Sequence, residues 1–324
     1  MEYKNPNSTR VNPFRSLYDN VKFKSILDIK EKLPKFPFLC DIELTNHCNI
    51  RCIFCGQQAM SRPKGFMSWT VFKKVVDECA YYNAPIRFIR WGEPFLHKDI
   101  IDFCKYIKHK GLLSHITNNG VAIMETQMKQ LIDLGVDSVI FSFQGASKEK
   151  YQLMRNNDLY QLLHSNILKM VKIRGAKDKP YIHISTTVTN ESEKEISEFV
   201  SYWIEIVDSV GVGKTNLSRL SAHQIKSFEV IERLEELKEQ ETIKRVYHPC
   251  TEVYQKLSVD WDGKVSCCCG DYDNFLTVDD IHEKTLYEIW NYSPTLKIIR
   301  QLLDDSKHRS LTLCSTCYHT YEEF

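Results

Sequence analysis

The sequence predicts an α/β fold with a mostly parallel sheet, followed by a smaller cysteine-bearing unit made of a β-hairpin and a helix. Three observations predict it. Between positions 38 and 213, six apolar strand-like runs alternate with amphipathic helical patterns. An Asp262-Gly263 pair between two further strand-like runs marks a hairpin. Twelve cysteines fall mainly into one early and one late group.

In chain order, the strands are expected at 38–45, 85–91, 112–117, 138–143, 181–188 and 208–213. Val71, Val75, Val76 and Cys79 share one helical face, as do Met128, Leu131 and Ile132 in a helix that Gly135 can end. Asp99 is a candidate N-cap for a helix over 100–110, with Gly111 closing it. Six such β–α units imply an open doubly wound sheet or a barrel-like sheet, complete or partial. In either, loops after the strand C-termini build the site. The charged stretch 226–240 reads as a connecting or surface helix, and a helical stretch spans 286–303. The expected organisation is an N-terminal extension (1–37), an α/β core (38–225), a connecting helix (226–246) and a C-terminal unit (247–324).

Composition narrows the function classes. With 43 Lys and Arg against 42 Asp and Glu, the chain lacks the basic excess of a nucleic-acid binder. No run approaches the roughly 18 apolar residues of a membrane span. Positions 1–20 are polar, without the apolar core of a signal peptide, so a cytoplasmic, reducing location is expected. There, clustered cysteines bind metal more often than they form disulfides. Cys40, Cys79 and Cys104 stand apart and are expected to be packing residues.

The early group is Cys48-Asn49-Ile50-Arg51-Cys52-Ile53-Phe54-Cys55, directly after the first expected strand. A closed site wants four protein ligands. Three thiolates on one loop leave one metal position open for a small molecule. A zinc site completed by His47 is the alternative. The spacing, with Phe54 before the last cysteine, resembles the radical SAM superfamily. That resemblance implies a partial (β/α)6 TIM-like barrel and a [4Fe–4S] cluster on Cys48, Cys52 and Cys55. In the family, the open iron chelates S-adenosylmethionine, and one electron releases a 5′-deoxyadenosyl radical that takes hydrogen from substrate.

Further segments resemble the family in order. Trp91-Gly92-Glu93-Pro94 resembles its Gly-Gly-Glu-Pro segment, with Trp91 in place of the first glycine. Thr117-Asn118-Asn119-Gly120 resembles the element beside SAM, and Ser142 a position near the ribose and carboxylate, where Gln144 replaces the usual Asp. Arg155, four residues after Tyr151, matches a recurrent pattern and could pair with the SAM carboxylate. The resemblance thus implies that Trp91, Gly92, Glu93, Asn118, Ser142 and Arg155 contact the cofactor.

The late group, Cys250, Cys268 and Cys314-x2-Cys317, resembles the SPASM/twitch extension of the same superfamily. It implies a second, auxiliary [4Fe–4S] cluster with four thiolates; four-cysteine zinc is the alternative. Cys267 and Cys269 point opposite to Cys268 if they lie on a strand. The implied activity is hydrogen abstraction from a small hydroxylated, sugar- or cyclitol-like substrate, ending in oxidation or epimerisation. A low-potential donor such as flavodoxin or ferredoxin would supply the electron. A maturase acting on a peptide or protein side chain is the alternative; with 37 residues before the first strand, an N-terminal peptide-recognition module is not expected.

Three other features carry less. Gly211-Val212-Gly213-Lys214-Thr215 is no phosphate-binding loop, because the glycine that motif needs is Asp208 here. His97 is expected to shape its loop. His183, Ser185 and Thr187 share one strand face and could line a cavity.

Overall fold

The computed structural model describes residues 1–15, 17, 33–217, 220, 225, 227–240 and 250–317. Of the expected segments, 226 and 241–246 of the connecting helix lie outside the described residues. So do 16 and 18–32 of the N-terminal extension, and 247–249 and 318–324 of the C-terminal unit.

After β1 (Glu2–Lys4), six parallel strands follow in chain order: β2 (Leu39–Ile42), β3 (Ile86–Phe88), β4 (Ser114–Asn118), β5 (Ser138–Ser142), β6 (Tyr181–Val188) and β7 (Ser209–Lys214). Helices α1 (Trp69–Tyr81), α2 (Ile100–His109), α3 (Glu125–Asp133), α4 (Lys148–Arg155), α5 (Tyr160–Arg174) and α6 (Glu193–Ile204) connect them. The sheet order β7-β6-β5-β4-β3-β2 repeats the chain order, as a partial (β/α)6 barrel requires. Among the described residues the sheet does not close on itself.

Local chemistry explains the helix limits. Ser68 Oγ accepts the Val71 N–H at the start of α1, whose buried face is Val71, Phe72, Val75, Val76 and Cys79. Ser192 and Glu195 cap α6 reciprocally. Asp99 does precede α2, but its carboxylate makes no capping bond; its own N–H instead donates to His97 Nδ1 at 3.2 Å. Gly111 and Gly135 take positive φ after α2 and α3, the conformation expected of them.

The N-terminal extension is part of the sheet rather than an appendage. β1 pairs antiparallel with β7, and the Met1 ammonium donates to Val212 O at 2.8 Å. Phe14, buried, packs edge-on against His115 at 5.4 Å between centroids. His115 shares a register line with Arg87 and Asp41 across β4, β3 and β2. Arg87 donates to Asp41 at 2.7 and 2.9 Å. Burial opposes the Asp41 charge, but Arg87 and Lys256 outweigh it and hold its carboxyl below the usual range.

α7 (Phe228–Glu239) is more than a solvated connector: Val230, Leu234 and Leu237 are buried along one stripe. The C-terminal unit then joins the core sheet. β8 (Lys256–Val259) pairs parallel with β2, β9 (Lys264–Ser266) turns back on it through Gly263 at φ +92°, and β10 (Thr277–Asp280) adds outside β9. β10 escapes sequence reading because Val278 is its one apolar residue. The helix expected over 286–303 is two, α8 (Leu286–Tyr292) and α9 (Pro294–Asp304). Pro294 has no N–H to continue α8, and Ser293 Oγ accepts the Leu296 N–H to start α9. Among the described residues no helix is long and apolar enough to cross a membrane.

Candidate functional site

The C-terminal ends of the parallel strands open into a cavity of about 300 Å³. Cys48, Cys52 and Cys55 line it, with the loops at 91–94, 117–119 and 142–144 and with Arg155. All parallel strands point the same way, so segments far apart in sequence meet on one rim.

The cysteine loop is held by its own polar residues. Asn46 Nδ2 donates to Pro63 O and its Oδ1 accepts the Gly65 N–H, at 2.8 and 2.9 Å. Gln58 Nε2 donates to the carbonyls of Arg51 and Cys52, both at 3.1 Å. Burial pushes the Cys48 thiol up to about 11 and the Cys55 thiol up to about 12. Iron would therefore displace protons as it binds. Two donors already face the sulfurs: Arg155 Nη1 lies 3.5 Å from Cys52 Sγ, and Asn119 Nδ2 lies 3.9 Å from Cys48 Sγ. None of Cys48, Cys52 and Cys55 is in a disulfide.

His47, the candidate fourth ligand of a zinc site, stacks on Phe66 at 4.8 Å. Among the described residues no three His, Cys, Asp or Glu side chains form a group suited to a single metal ion. The thiolates of a four-iron cluster bind separate irons and need no such common point. The donor set fits a cluster on Cys48, Cys52 and Cys55.

The remaining rim residues differ in what their side chains have left to offer. Gly92, at φ +114°, admits no other residue: a Cβ would sit 2.1 Å from Thr45 O. Glu93 is buried, and its carboxylate accepts the N–H groups of Phe95 and Asn119 at 3.1 and 2.7 Å. Burial still lifts it to about 7. Glu93 therefore ties the 91–94 loop to the 117–120 loop. Asn118 is likewise spent on backbone, donating to Ile140 O and accepting from Gly120 N–H. It is Asn119, which sequence reading passed over, whose amide reaches Cys48. The doubled Asn in Thr117-Asn118-Asn119-Gly120 was the available signal.

Ser142 lines the cavity, and its carbonyl accepts from Arg155 Nη2. Arg155 is buried, and its Nε has no partner among the described residues, as is true of Tyr151 Oη. Gln144, which replaces the family's Asp, is pinned by Thr187 and Thr215. Ser185 and Thr187 line the cavity; His183 does not, and bonds Ser209 Oγ at 2.6 Å through Nδ1. His97 is buried with its Nε2 3.0 Å from Met67 O, which makes it a loop-shaping residue.

The late cysteines come from three segments. Cys250 precedes β8, Cys268 follows β9, and Cys314 and Cys317 flank a turn after α9. Burial pushes Cys250 and Cys314 up to about 12, and the Cys317 sulfur adds to the shift at both. Cys268 is likewise raised by burial and by the sulfurs of Cys269, Cys250, Cys267 and Cys317. The Gly270 N–H donates to Cys268 Sγ at 3.3 Å. Cys267 is fully buried beside Leu276 O, and Cys269 Sγ accepts from Lys256 Nζ at 3.4 Å. Neither lines the cavity.

The C-terminal unit also grips the first cysteine loop. Tyr272 packs so closely on Gly56 that a Cβ there would meet it at 2.6 Å. Asp273 accepts from the N–H groups of Ser61 and Arg62 at 2.7 and 2.8 Å. Trp91 Nε1 donates to Asp271 O at 2.7 Å. The indole that replaces the family glycine is thus an anchor for the C-terminal unit.

Comparison with known proteins agrees with this construction. The Radical SAM superfamily model matches residues 42–203, and the SPASM iron-sulfur cluster-binding domain model matches residues 250–318. The tungsten-containing aldehyde ferredoxin oxidoreductase cofactor-modifying protein of Pyrococcus furiosus is 30% identical over 189 residues, 57% of this chain and 52% of that protein. The chain spans about half the length of that relative. Among solved structures, Streptococcus suis SuiB bound to the precursor peptide SuiA has a TM-score of 0.66 at 17% identity, over 97% of this chain and 79% of that one. BtrN in complex with AdoMet and 2-DOIA has a TM-score of 0.55 at 16% identity, over 88% and 96%.

Proposed function

Because the chain belongs to the radical SAM superfamily and carries a SPASM-type iron–sulfur domain, we propose that it removes a hydrogen atom from a small hydroxylated, sugar- or cyclitol-like substrate and oxidises or epimerises it. The observation that carries this reading is the convergence of Cys48, Cys52 and Cys55 with the 91–94, 117–119 and 142–144 loops on one cavity. Bound there, the cluster and SAM would supply a 5′-deoxyadenosyl radical.

The chain's own residues hold and orient. Cys48, Cys52 and Cys55 would ligate three irons, leaving the fourth open to SAM. Gly92 lets the backbone approach. Arg155, on the cavity lining, would supply the cation for the SAM carboxylate, while Glu93 and Asn118 hold the loops around it. Charges on the wall are already neutralised: Glu43 pairs with Arg62, and Arg90 with Asp260. Ser142 and Ser185 on the lining could meet a hydroxylated molecule, whereas the Thr117 and Thr187 hydroxyls are bonded to His115 and Gln144.

For alcohol oxidation the balance is simple. One carbinol hydrogen atom goes to C5′. Cys250, Cys268, Cys314 and Cys317 would hold an auxiliary cluster that could supply an acceptor for the one remaining electron, and with loss of the hydroxyl proton to solvent the product would be a ketone. Held by four thiolates, such a cluster would have no open iron, which suits it to electron transfer rather than to binding substrate. The first electron would come from a flavodoxin- or ferredoxin-like donor in a reducing cytoplasm.

A second reading, a maturase acting on a peptide side chain, draws support from the likeness to SuiB bound to its precursor peptide. An anaerobic assay separates the two. Panels of deuterated polyols and cyclitols, and of peptides, are offered with SAM and dithionite. Deuterium in 5′-deoxyadenosine from a polyol supports the first reading; transfer only from peptides replaces it with the second.

A further inference from the structure

Between the two cysteine sites runs a buried chain of charges. Arg90, at the end of β3 and on the cavity wall, donates Nη1 to the Cys268 carbonyl at 2.7 Å. Its Nε and Nη2 donate to Asp260 Oδ1, Nε at 3.1 Å. The other oxygen of Asp260 lies 3.7 Å from Arg62 Nη1, and Arg62 forks onto Glu43 at 2.5 and 2.7 Å. Side chains of Arg90 and Asp260 are each 1% exposed. Two cations and two anions make the chain neutral, with Arg90 at the end nearest Cys268.

A buried, paired charge is costly to desolvate, and its retention here calls for a role besides stability. Without its guanidinium, Asp260 would stand as an unpaired negative charge behind the Cys268 loop and disfavour the reduced, more negative form of a cluster there, whereas the paired chain does not; hydrogen bonds around the ligands also favour the reduced form. Cys268 carries one donor on its sulfur, Gly270 N–H, and three on its carbonyl: Arg90 Nη1, which alone of them is charged, Ser266 Oγ at 3.1 Å and Asp271 N–H at 3.2 Å.

We propose that Arg90 is a positioning residue that holds the Cys268 loop and raises the reduction potential of the auxiliary cluster, so that it accepts the single electron a substrate radical gives up. This rests on the reading of Cys250, Cys268, Cys314 and Cys317 as cluster ligands. Arg90 occupies the residue before Trp91, so the segment that borders the SAM cavity also conditions the electron acceptor.

The test uses the full chain, reconstituted anaerobically, with iron and sulfide counts and EPR-monitored redox titration of wild type, Arg90→Gln, Arg90→Lys and Asp260→Asn. The expected result for Arg90→Gln is a lower auxiliary midpoint potential with the SAM-site signal unmoved. Arg90→Lys should recover most of the shift, and Asp260→Asn should not lower the potential. Full iron in Arg90→Gln with an unmoved auxiliary potential overturns the proposal. Should Arg90→Gln lose its auxiliary iron, Arg90→Lys decides: a loaded cluster at near wild-type potential supports the charge, and an equally empty site shows packing alone and overturns it. A wild type holding only about four irons removes the auxiliary-cluster reading itself, a different failure from an unmoved potential.

Discussion

The two cysteine sites are built in opposite ways. Cys48, Cys52 and Cys55 lie on one short loop between β2 and α1, held by Asn46 and Gln58 from the same stretch. Cys250, Cys268, Cys314 and Cys317 come from three segments brought near one another as β8 pairs with β2 and α9 packs against β10 and the turn at 252–254. The first lines the cavity, where its proposed cluster would keep an open position; the second, proposed as a four-thiolate set, lies outside it. A local motif leaves room for a small molecule, whereas a closed ligand set needs chain ends brought together. The two are nonetheless one body, bolted by Tyr272, Asp273 and Trp91.

The sharpest test of the contrast is the triple Cys48/Cys52/Cys55→Ala variant. Iron should fall from about eight to about four per chain, with SAM cleavage abolished, while the auxiliary signal survives. Loss of all iron would mean that the second site cannot assemble without the first. Next in size is Gly92→Ala. Positive φ and a 2.1 Å approach to Thr45 O combine to cost about 3 kcal/mol or more, read by denaturant melts, and SAM binding should be lost. Gly111→Ala, also at positive φ but with nothing within 4 Å of the added carbon, should cost only about 1 kcal/mol.

Within the late group, neighbours should separate cleanly. Cys268→Ala should empty the auxiliary site and uncouple 5′-deoxyadenosine formation from product. Cys267→Ala should keep its iron and lose about 1 kcal/mol from packing. Cys267 and Cys268 follow β9 rather than lie on it, so the strand alternation expected of them does not apply; equal iron loss in both variants would show that Cys267 also supports the cluster.

The smallest effect concerns pH. Burial raises Glu93 from 4.5 to about 7, so the folded state holds a proton that the unfolded chain releases sooner. Its contribution is present below the unfolded value and is lost as pH rises through about 7. Relative to Glu93→Gln, the cluster-free wild type should therefore lose melting temperature between about pH 5 and pH 7.5. A difference that does not change with pH would show Glu93 ionised throughout.

Much of this was legible in advance. The alternation of strand runs and helical faces predicted the six parallel strands, because burial on both sheet faces leaves apolar runs that stand out. The hairpin at Gly263 followed from its need for positive φ. Other features left no local trace. β10 is mostly polar and exists because β9 offers it an edge. The break at Pro294 was overlooked inside an otherwise periodic stretch. Asn118 and Glu93 looked like ligand contacts, yet they spend their polar atoms on neighbouring backbone, since loops at a buried rim must satisfy their own N–H groups first.

By itself, the sequence determined the chemistry: three thiols on one loop, four more at distant positions, and a strand–helix rhythm that places loop ends together. Those properties depend on residue type and on spacing along the chain. The tertiary structure alone decided which side chains remain available. It put the indole of Trp91 on Asp271, made the N-terminal residues an edge strand, and drew Glu43, Arg62, Asp260 and Arg90 into one buried chain ending at Cys268. Such pairings join residues 210 positions apart, as where Arg62 Nε donates to Tyr272 O, and only the packed interior, where unpaired charges are costly, selects among them.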